Sequence, residues 1–163
     1  RVDRELIRAR LRSGVQSHPG PSDCGKIIHG IVRTLQRIPG GENLQWQIEA
    51  PEGMLASVSP EDLAELLGNL LENASKWAAR TVKVSLITGE QLQIRIEDDG
   101  PGVPPAQFDS LGQRGMRLDE QKQGTGLGLA IALDISQAYE GRIGFESSSL
   151  GGLAVVVSMP SAR

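Results

Sequence analysis

Asn69, Asn73 and Lys76 recur at helical spacing in a stretch whose other positions are rich in leucine. Asn69 and Asn73 are four residues apart, so two neutral carboxamide oxygens can converge on one hard cation. Lys76 adds a point charge that can meet a phosphate. Two glycine-rich segments follow, Asp98-Asp99-Gly100-Pro101-Gly102 and Gly124-Thr125-Gly126-Leu127-Gly128. Backbone without side chains can lie close against a bulky ligand. Oxygen ligands, a cation and open backbone are what a nucleotide with its magnesium ion and phosphate charge requires.

Each piece also has a plainer explanation. Glu72 and Lys76 form an i, i+4 ion pair in the favourable order, which a solvated helix face would carry anyway. Asp-Gly and Pro-Gly are turn dipeptides. A carboxylate beside Gly100 can nevertheless accept from an exocyclic amino group, which separates adenine from guanine. The second segment opens a helix, so its amides can receive phosphate at the positive dipole end. It has neither the spacing of a dinucleotide fingerprint nor the lysine of a P-loop. The three segments together, in this order, are hard to explain by packing alone.

The elements that must position them read as follows. A helix over 1–13 is stopped by Ser13-Gly14, and 14–21 is linker by composition. Ser22 or Asp23 caps a helix ended by Pro39-Gly40-Gly41. Leu44, Trp46 and Ile48 alternate as a strand, with a weaker one near 54–58. Ser59-Pro60-Glu61-Asp62 starts the asparagine-bearing helix, which should run to about Ala79. On its wheel Leu63, Leu66, Leu67, Leu70, Leu71, Ala74, Trp77 and Ala78 face the sheet, opposite Asn69, Glu72, Asn73 and Lys76. Val82–Leu86 and Leu92–Ile96 form a hairpin. Residues 104–123 carry few apolar anchors and read as a mobile loop. A last helix from Thr125 is stopped by Gly141, and strands over 142–147 and 153–159 finish the chain. The fold class expected is α/β: a two-layer sandwich, with a mixed, mostly antiparallel sheet packed against three helices.

Composition sets the outer bounds. The chain has 163 residues, enough for one domain with a normal core. A net charge of −3 gives no broad attraction to nucleic acid. The arginines at 1, 4, 8, 10 and 12 alternate with acids and aliphatics, as on a solvated helix face. One cysteine, Cys24, excludes an internal disulfide and a zinc cluster. No apolar run approaches the roughly 18 residues of a membrane span. With Arg1 first, an excised piece of something longer is expected.

The segments Asn69–Trp77, Asp98–Val103 and Gly124–Ile131 resemble the N, G1 and G2 boxes of sensor histidine kinases. Phe108-Asp109, Gln113-Arg114 and Ala138-Tyr139-Glu140-Gly141 look nearest to PhoQ-type kinases. The resemblance spans roughly residues 22–160. It implies the Bergerat ATP-binding fold that these kinases share with type II topoisomerases and MutL. By position, Asn69 and Asn73 look like the Mg2+-side residues and Lys76 a phosphate contact. Asp98 would read the adenine amino group, and Gly100 and Gly102 would shape the base pocket. Trp77, Val103, Thr125 and Leu127 complete the implied ATP site. Residues 104–124 would be the ATP lid, with Gln113 and Arg114 on the phosphate side. Gly124, Gly126 and Gly128 would hinge it. Glu72 is a further candidate for a catalytic role. Hydrolases of the superfamily place a glutamate where Asn69 stands, and an amide cannot act as a base at neutral pH.

The implied activity is therefore phosphoryl transfer from Mg-ATP to a histidine, for relay to the receiver domain of a response regulator. Neither His18, preceding Pro19, nor His29, followed by Gly30, is followed by the acid that an acceptor needs. The acceptor is expected upstream of Arg1, on a dimerisation and phosphoacceptor domain to which 1–13 would be the tail. The parent would be a homodimer and this stretch a monomer, cytoplasmic, with a parent anchored in the inner membrane compatible. A serine kinase of the anti-sigma type, a nucleotide-sensing module without transfer activity, and a topoisomerase-type ATPase stay open as alternatives.

Overall fold

The computed structural model describes residues 21–111 and 125–162, with 125–127 as backbone only. The expected helix over 1–13, all of the linker but Pro21, His18, Gln113, Arg114 and Gly124 lie outside the described residues.

Strand β1 (Ser22–Asp23) leads directly into helix α1 (Cys24–Gln36). Asp23 is the cap: its Oδ1 accepts from the Lys26 N–H at 3.1 Å, and its Oδ2 from the Gly53 N–H at 2.8 Å. Ile28, Val32 and Leu35 bury one stripe of α1. Strand β2 (Gln45–Glu49) follows a 3-10 turn at Gly41–Asn43. The weak strand is real but short: β3 (Leu55–Ala56) pairs with β1 in a separate two-stranded sheet.

Helix α2 (Pro60–Trp77) starts as its sequence dictates, with Ser59 Oγ accepting from the Asp62 N–H and proline in the first turn. Leu63, Leu66, Leu67, Leu70, Leu71 and Ala74 are buried. The helix stops at Trp77, two residues before the expected end: the Ala78 N–H still donates to the Ala74 carbonyl, but the Asp99 carboxylate claims the N–H groups of Ala79, Arg80 and Thr81. Strands β4 (Thr81–Ile87) and β5 (Leu92–Asp98) form the expected hairpin. Val82, Val84, Leu86, Leu92, Ile94 and Ile96 fill the helix-covered face at period two.

The stretch from 104 departs from the loop reading. A 3-10 turn at Pro105–Gln107 runs into a one-turn helix α3 (Phe108–Leu111), which packs against β6. Leu111, at 0% exposure, is the anchor that composition undervalued. Helix α4 (Thr125–Ala138) then buries Leu129, Ala130, Ile131, Ala132, Leu133 and Ile135. Apolar groups lie on nearly all its sides because it is wedged between α2 and β6. Strands β6 (Arg142–Ser147) and β7 (Leu153–Met159) close the main sheet in the order β2-β4-β5-β7-β6. Only β2–β4 is parallel, so the sheet is mixed and mostly antiparallel.

The two layers are thus three long helices on one sheet face. None of the described helices is long and apolar enough to cross a membrane. The arrangement brings the end of α2, the end of β5 and the β6–β7 turn to one edge.

Candidate nucleotide site

At that edge lies a small hollow lined by Trp77, Asp98, Gly102, Val103 and Leu153. A second hollow adjoins it, sharing Trp77, Asp98 and Leu153 and adding Asn73, Leu129 and Phe145. The walls are mostly apolar, with one carboxylate and one carboxamide, the usual make-up of a small-molecule site.

Asp98 is only 5% exposed. Its Oδ1 accepts from the Gly100 N–H at 2.8 Å and, more weakly, from the Leu153 N–H at 3.5 Å. Burial pushes the carboxyl above the ordinary range, the two N–H donors pull against that, and the charge of Asp99 adds to the rise. A buried acceptor held in a cleft suits the recognition of a single donor.

Asp99 does a different job. Its Oδ1 accepts from the backbone N–H groups of Ala79, Arg80 and Thr81 at 2.8, 2.9 and 3.1 Å. Burial alone would raise its pKa, but the N–H donors of Arg80, Thr81 and Ala79 outweigh it and hold it low. The carboxylate therefore fixes the chain leaving α2, against which the Asp98 loop is pressed. At Gly100 an added Cβ would sit 2.1 Å from the Trp77 carbonyl oxygen, so the close approach requires glycine. Gly102 has φ +74°, a turn conformation that glycine supplies without strain.

Asn69 and Asn73 are both half-buried on the side of α2 that faces α4 and the hollows. Asn69 Nδ2 is buried with no hydrogen-bond partner among the described residues. Its Oδ1 lies against the start of α4, where a Cβ on Gly128 would be 3.3 Å away. Helices α2 and α4 thus approach through a carboxamide and a glycine. Lys76 and Glu72 point elsewhere. They pair at 3.9 Å and line a separate groove with Pro39, Asn43 and Leu44 on the α1 side. Trp77, expected on the sheet-facing arc, turns half-buried into the first hollow. Thr125, Gly126 and Leu127 begin α4, and their side chains lie outside the description.

Sequence reasoning missed Leu153, Phe145 and Leu129 as walls of the hollows. The Gly151-Gly152 pair between β6 and β7 backs onto Asp98: the Gly152 N–H donates to the Asp98 carbonyl at 3.1 Å.

Residues 58–163 match the family described as histidine kinase-, DNA gyrase B-, and HSP90-like ATPases. The chain belongs to this family. Among its curated relatives, the sensor protein kinase CarS of Pseudomonas aeruginosa is 44% identical over 162 residues, covering 98% of this chain and 36% of that protein. The sensor protein PhoQ of Escherichia coli K12 is 35% identical over 157 residues, covering 93% of this chain and 32% of PhoQ. The PhoQ likeness holds, with CarS at higher identity. The chain thus spans about a third of the length of these relatives. The solved structure of the mycobacterial sensor histidine kinase MprB superposes with a TM-score of 0.77 at 23% identity, covering 90% of this chain and 99% of that one. Full-length ShkA in complex with AMPPNP gives 0.75 at 26% identity, covering 99% of this chain and 35% of ShkA. The histidine kinase-type ATPase fold expected from the three motif segments is the fold found.

Proposed function

We propose that this chain is the Mg-ATP-binding catalytic domain of a sensor histidine kinase, donating the γ-phosphoryl group to a histidine elsewhere in a longer protein. The observation that carries the reading is the buried Asp98 carboxylate facing the Trp77–Val103–Leu153 hollow, beside a helix with two carboxamides one turn apart. The adenine base would lie between Trp77 and Leu153 while Asp98 accepts from its exocyclic amino group. The ShkA relative, whose structure holds an ATP analogue, supports a nucleotide here.

Asn69 and Asn73 suit Mg2+ by donor chemistry, since that ion takes a few protein oxygens together with phosphates and water. The ligand atom would be the carboxamide oxygen; the buried Nδ2 of Asn69, without a partner among the described residues, is a donor that could meet a phosphate oxygen beside the ion. When bound, the ion would neutralise phosphate charge and orient the terminal group. Gly128 lets the start of α4 come close to that carboxamide, where backbone N–H groups can face phosphate. Lys76 would reach a phosphate only by swinging away from Glu72. Gln113 and Arg114 would meet the phosphates as part of a lid hinged at Gly124, Gly126 and Gly128, with Thr125 and Leu127 beside them in the first turn of α4. In transfer, the bond from the γ-phosphorus to the β,γ-bridging oxygen breaks and a bond to a histidine ring nitrogen forms, with ADP leaving. Asn69 stands where hydrolases of the superfamily carry a glutamate, and an amide cannot serve as a base for water.

The acceptor would lie on a dimerisation domain of the longer protein, and the phosphoryl group would pass to a receiver domain in the cytoplasm. Titration with AMPPNP, with and without Mg2+, tests the binding half. Asn73→Ala should abolish the gain in affinity from Mg2+. Labelled ATP mixed with a separately made acceptor hairpin tests transfer, and label appearing on serine, or none transferred at all, would overturn it.

A further inference from the structure

Glu97 and Asp98 are consecutive on β5, so the pleat sends their side chains to opposite faces of the sheet. Both grip the same β6–β7 turn. On one face Glu97, 5% exposed, accepts from Ser148 Oγ at 2.9 Å. On the other, Asp98 Oδ1 faces the Leu153 N–H and its carbonyl takes the Gly152 N–H. The turn between these anchors is cross-braced. Ser148 N–H donates to the Gly152 carbonyl at 2.8 Å, and Leu150 N–H donates to Ser148 Oγ at 2.9 Å. The fit at Gly152 is tight, since an added Cβ would come within 2.2 Å of Asp98 Oδ1. Arg95 holds Glu97 in turn, its Nε lying 3.3 Å from Oε2.

We propose that Ser148 and Glu97 are positioning residues for the Asp98 carboxylate, and that they thereby set the preference for adenine over guanine. The inference rests on the nucleotide-site reading above and adds to it residues outside all three motif segments. The Ser148 hydroxyl serves at once as donor to Glu97 and acceptor from Leu150, so it fixes the register of the turn against β5. Only a fixed turn keeps the Leu153 N–H and the Gly152 backbone where they hold Asp98. A carboxylate shifted by a fraction of an ångström loses its bond to the adenine amino group. Guanine, which presents a carbonyl there, has no such bond to lose.

The test is calorimetric titration of the 163-residue chain with Mg-ATP and Mg-GTP, with melting followed in parallel. Ser148→Ala should lower the ATP-to-GTP affinity ratio about five-fold, by weakening ATP alone, as expected for one net hydrogen bond. Ser148→Thr, which keeps the hydroxyl, should restore the ratio. Glu97→Ala should lower it similarly, and the double variant should lose no more than either single one. A ratio unchanged in Ser148→Ala, or both nucleotides weakened in parallel with a falling melting temperature, overturns the positioning role. If Ser148→Ala does not fold, Glu97→Ala decides in its place: a lowered ratio in that folded variant supports the role, and an unchanged one overturns it. Failure of the underlying reading looks different: the unaltered chain would then show no preference for ATP at all.

Discussion

Asp98 and Asp99 are adjacent, yet their carboxylates face different parts of the molecule and answer to opposite physics. Asp98 is buried at the hollow, with a pKa raised by desolvation. Asp99 closes the end of α2 on three backbone N–H groups, which hold its pKa down against the pull of burial. One strand end therefore supplies both the recognition group and the clamp that steadies it.

Separate substitutions should divide these roles. Asp99→Ala strands three N–H groups at the α2 exit and should cost about 1–2 kcal/mol of stability, discounted for partial exposure. Asp98→Asn keeps an acceptor for the Gly100 N–H and removes a buried charge, so stability should hold or rise slightly. It should weaken ATP binding about ten-fold or more, because a charged acceptor is replaced by a neutral one. Urea unfolding and ATP titration on both variants check the division. Equal losses of stability would contradict it.

The same pair predicts opposite dependence on pH. The Asp98 pKa is raised on folding, so the native state holds that proton more tightly than the unfolded chain. Its contribution to stability therefore falls as pH rises from the ordinary aspartate value of 3.8 through the native pKa. Asp99 has a lowered pKa, so its contribution is present above 3.8 and is lost on acidification below that value. ATP binding needs ionised Asp98, and its affinity should decline at a pH above 3.8 as acid is added. Binding curves between pH 4 and 7 check this, with Asp98→Asn as the flat reference. A decline of the same size in that variant would assign the effect to another group.

Gly128 offers a prediction whose two parts have different signs. Alanine inside a helix is favoured over glycine by about 1 kcal/mol, so Gly128→Ala should leave stability unchanged or improve it. The new Cβ would lie 3.3 Å from Asn69 Oδ1, and the carboxamide must give way. Mg-ATP affinity should then fall several-fold while binding without Mg2+ changes less. Melting and paired titrations read both parts. A fall in Mg-free binding as large as that with Mg2+ would separate Gly128 from the ion.

Most of the fold was legible because its signals are local. Ser59-Pro60-Glu61-Asp62 fixes the start of α2, and the alternation in β4 and β5 fixes their buried faces. What escaped depends on contacts distant in sequence. The early end of α2 is set by Asp99, 20 residues beyond Ala79. The one-turn α3 is held by Leu111, whose burial comes from packing and not from periodicity. The motif segments located Asn73, Asp98 and Gly102 at the hollow, and the wheel put Asn69 and Asn73 on one face. A wheel could not separate Lys76 and Glu72 from them, because both helix neighbours, α1 and α4, border that polar arc. Leu153 and Phe145 carried no readable signal, since an apolar strand residue looks alike in a core and in a pocket wall.

Away from the hollow, the far ends of α2 and α4 are joined through Tyr139. Its hydroxyl donates to Asp62 Oδ2 at 2.5 Å and lies 3.3 Å from Ser59 Oγ, the cap of α2. Asp62 is fully buried, so this bond to a charged acceptor is shielded from water. Desolvation and the Asp62 carboxylate both push the Tyr139 hydroxyl above its ordinary pKa, which keeps it a donor at neutral pH. Tyr139→Phe should therefore lower unfolding stability by about 1–3 kcal/mol, the range for a buried donor lost to a charged partner. Neither residue lines the nucleotide hollows, so ATP affinity should be unchanged. Denaturant unfolding with and without Mg-ATP measures both. A marked loss of ATP affinity in a variant still folded would mean that the spacing of α2 and α4 at this end is transmitted to Asn69 and Gly128.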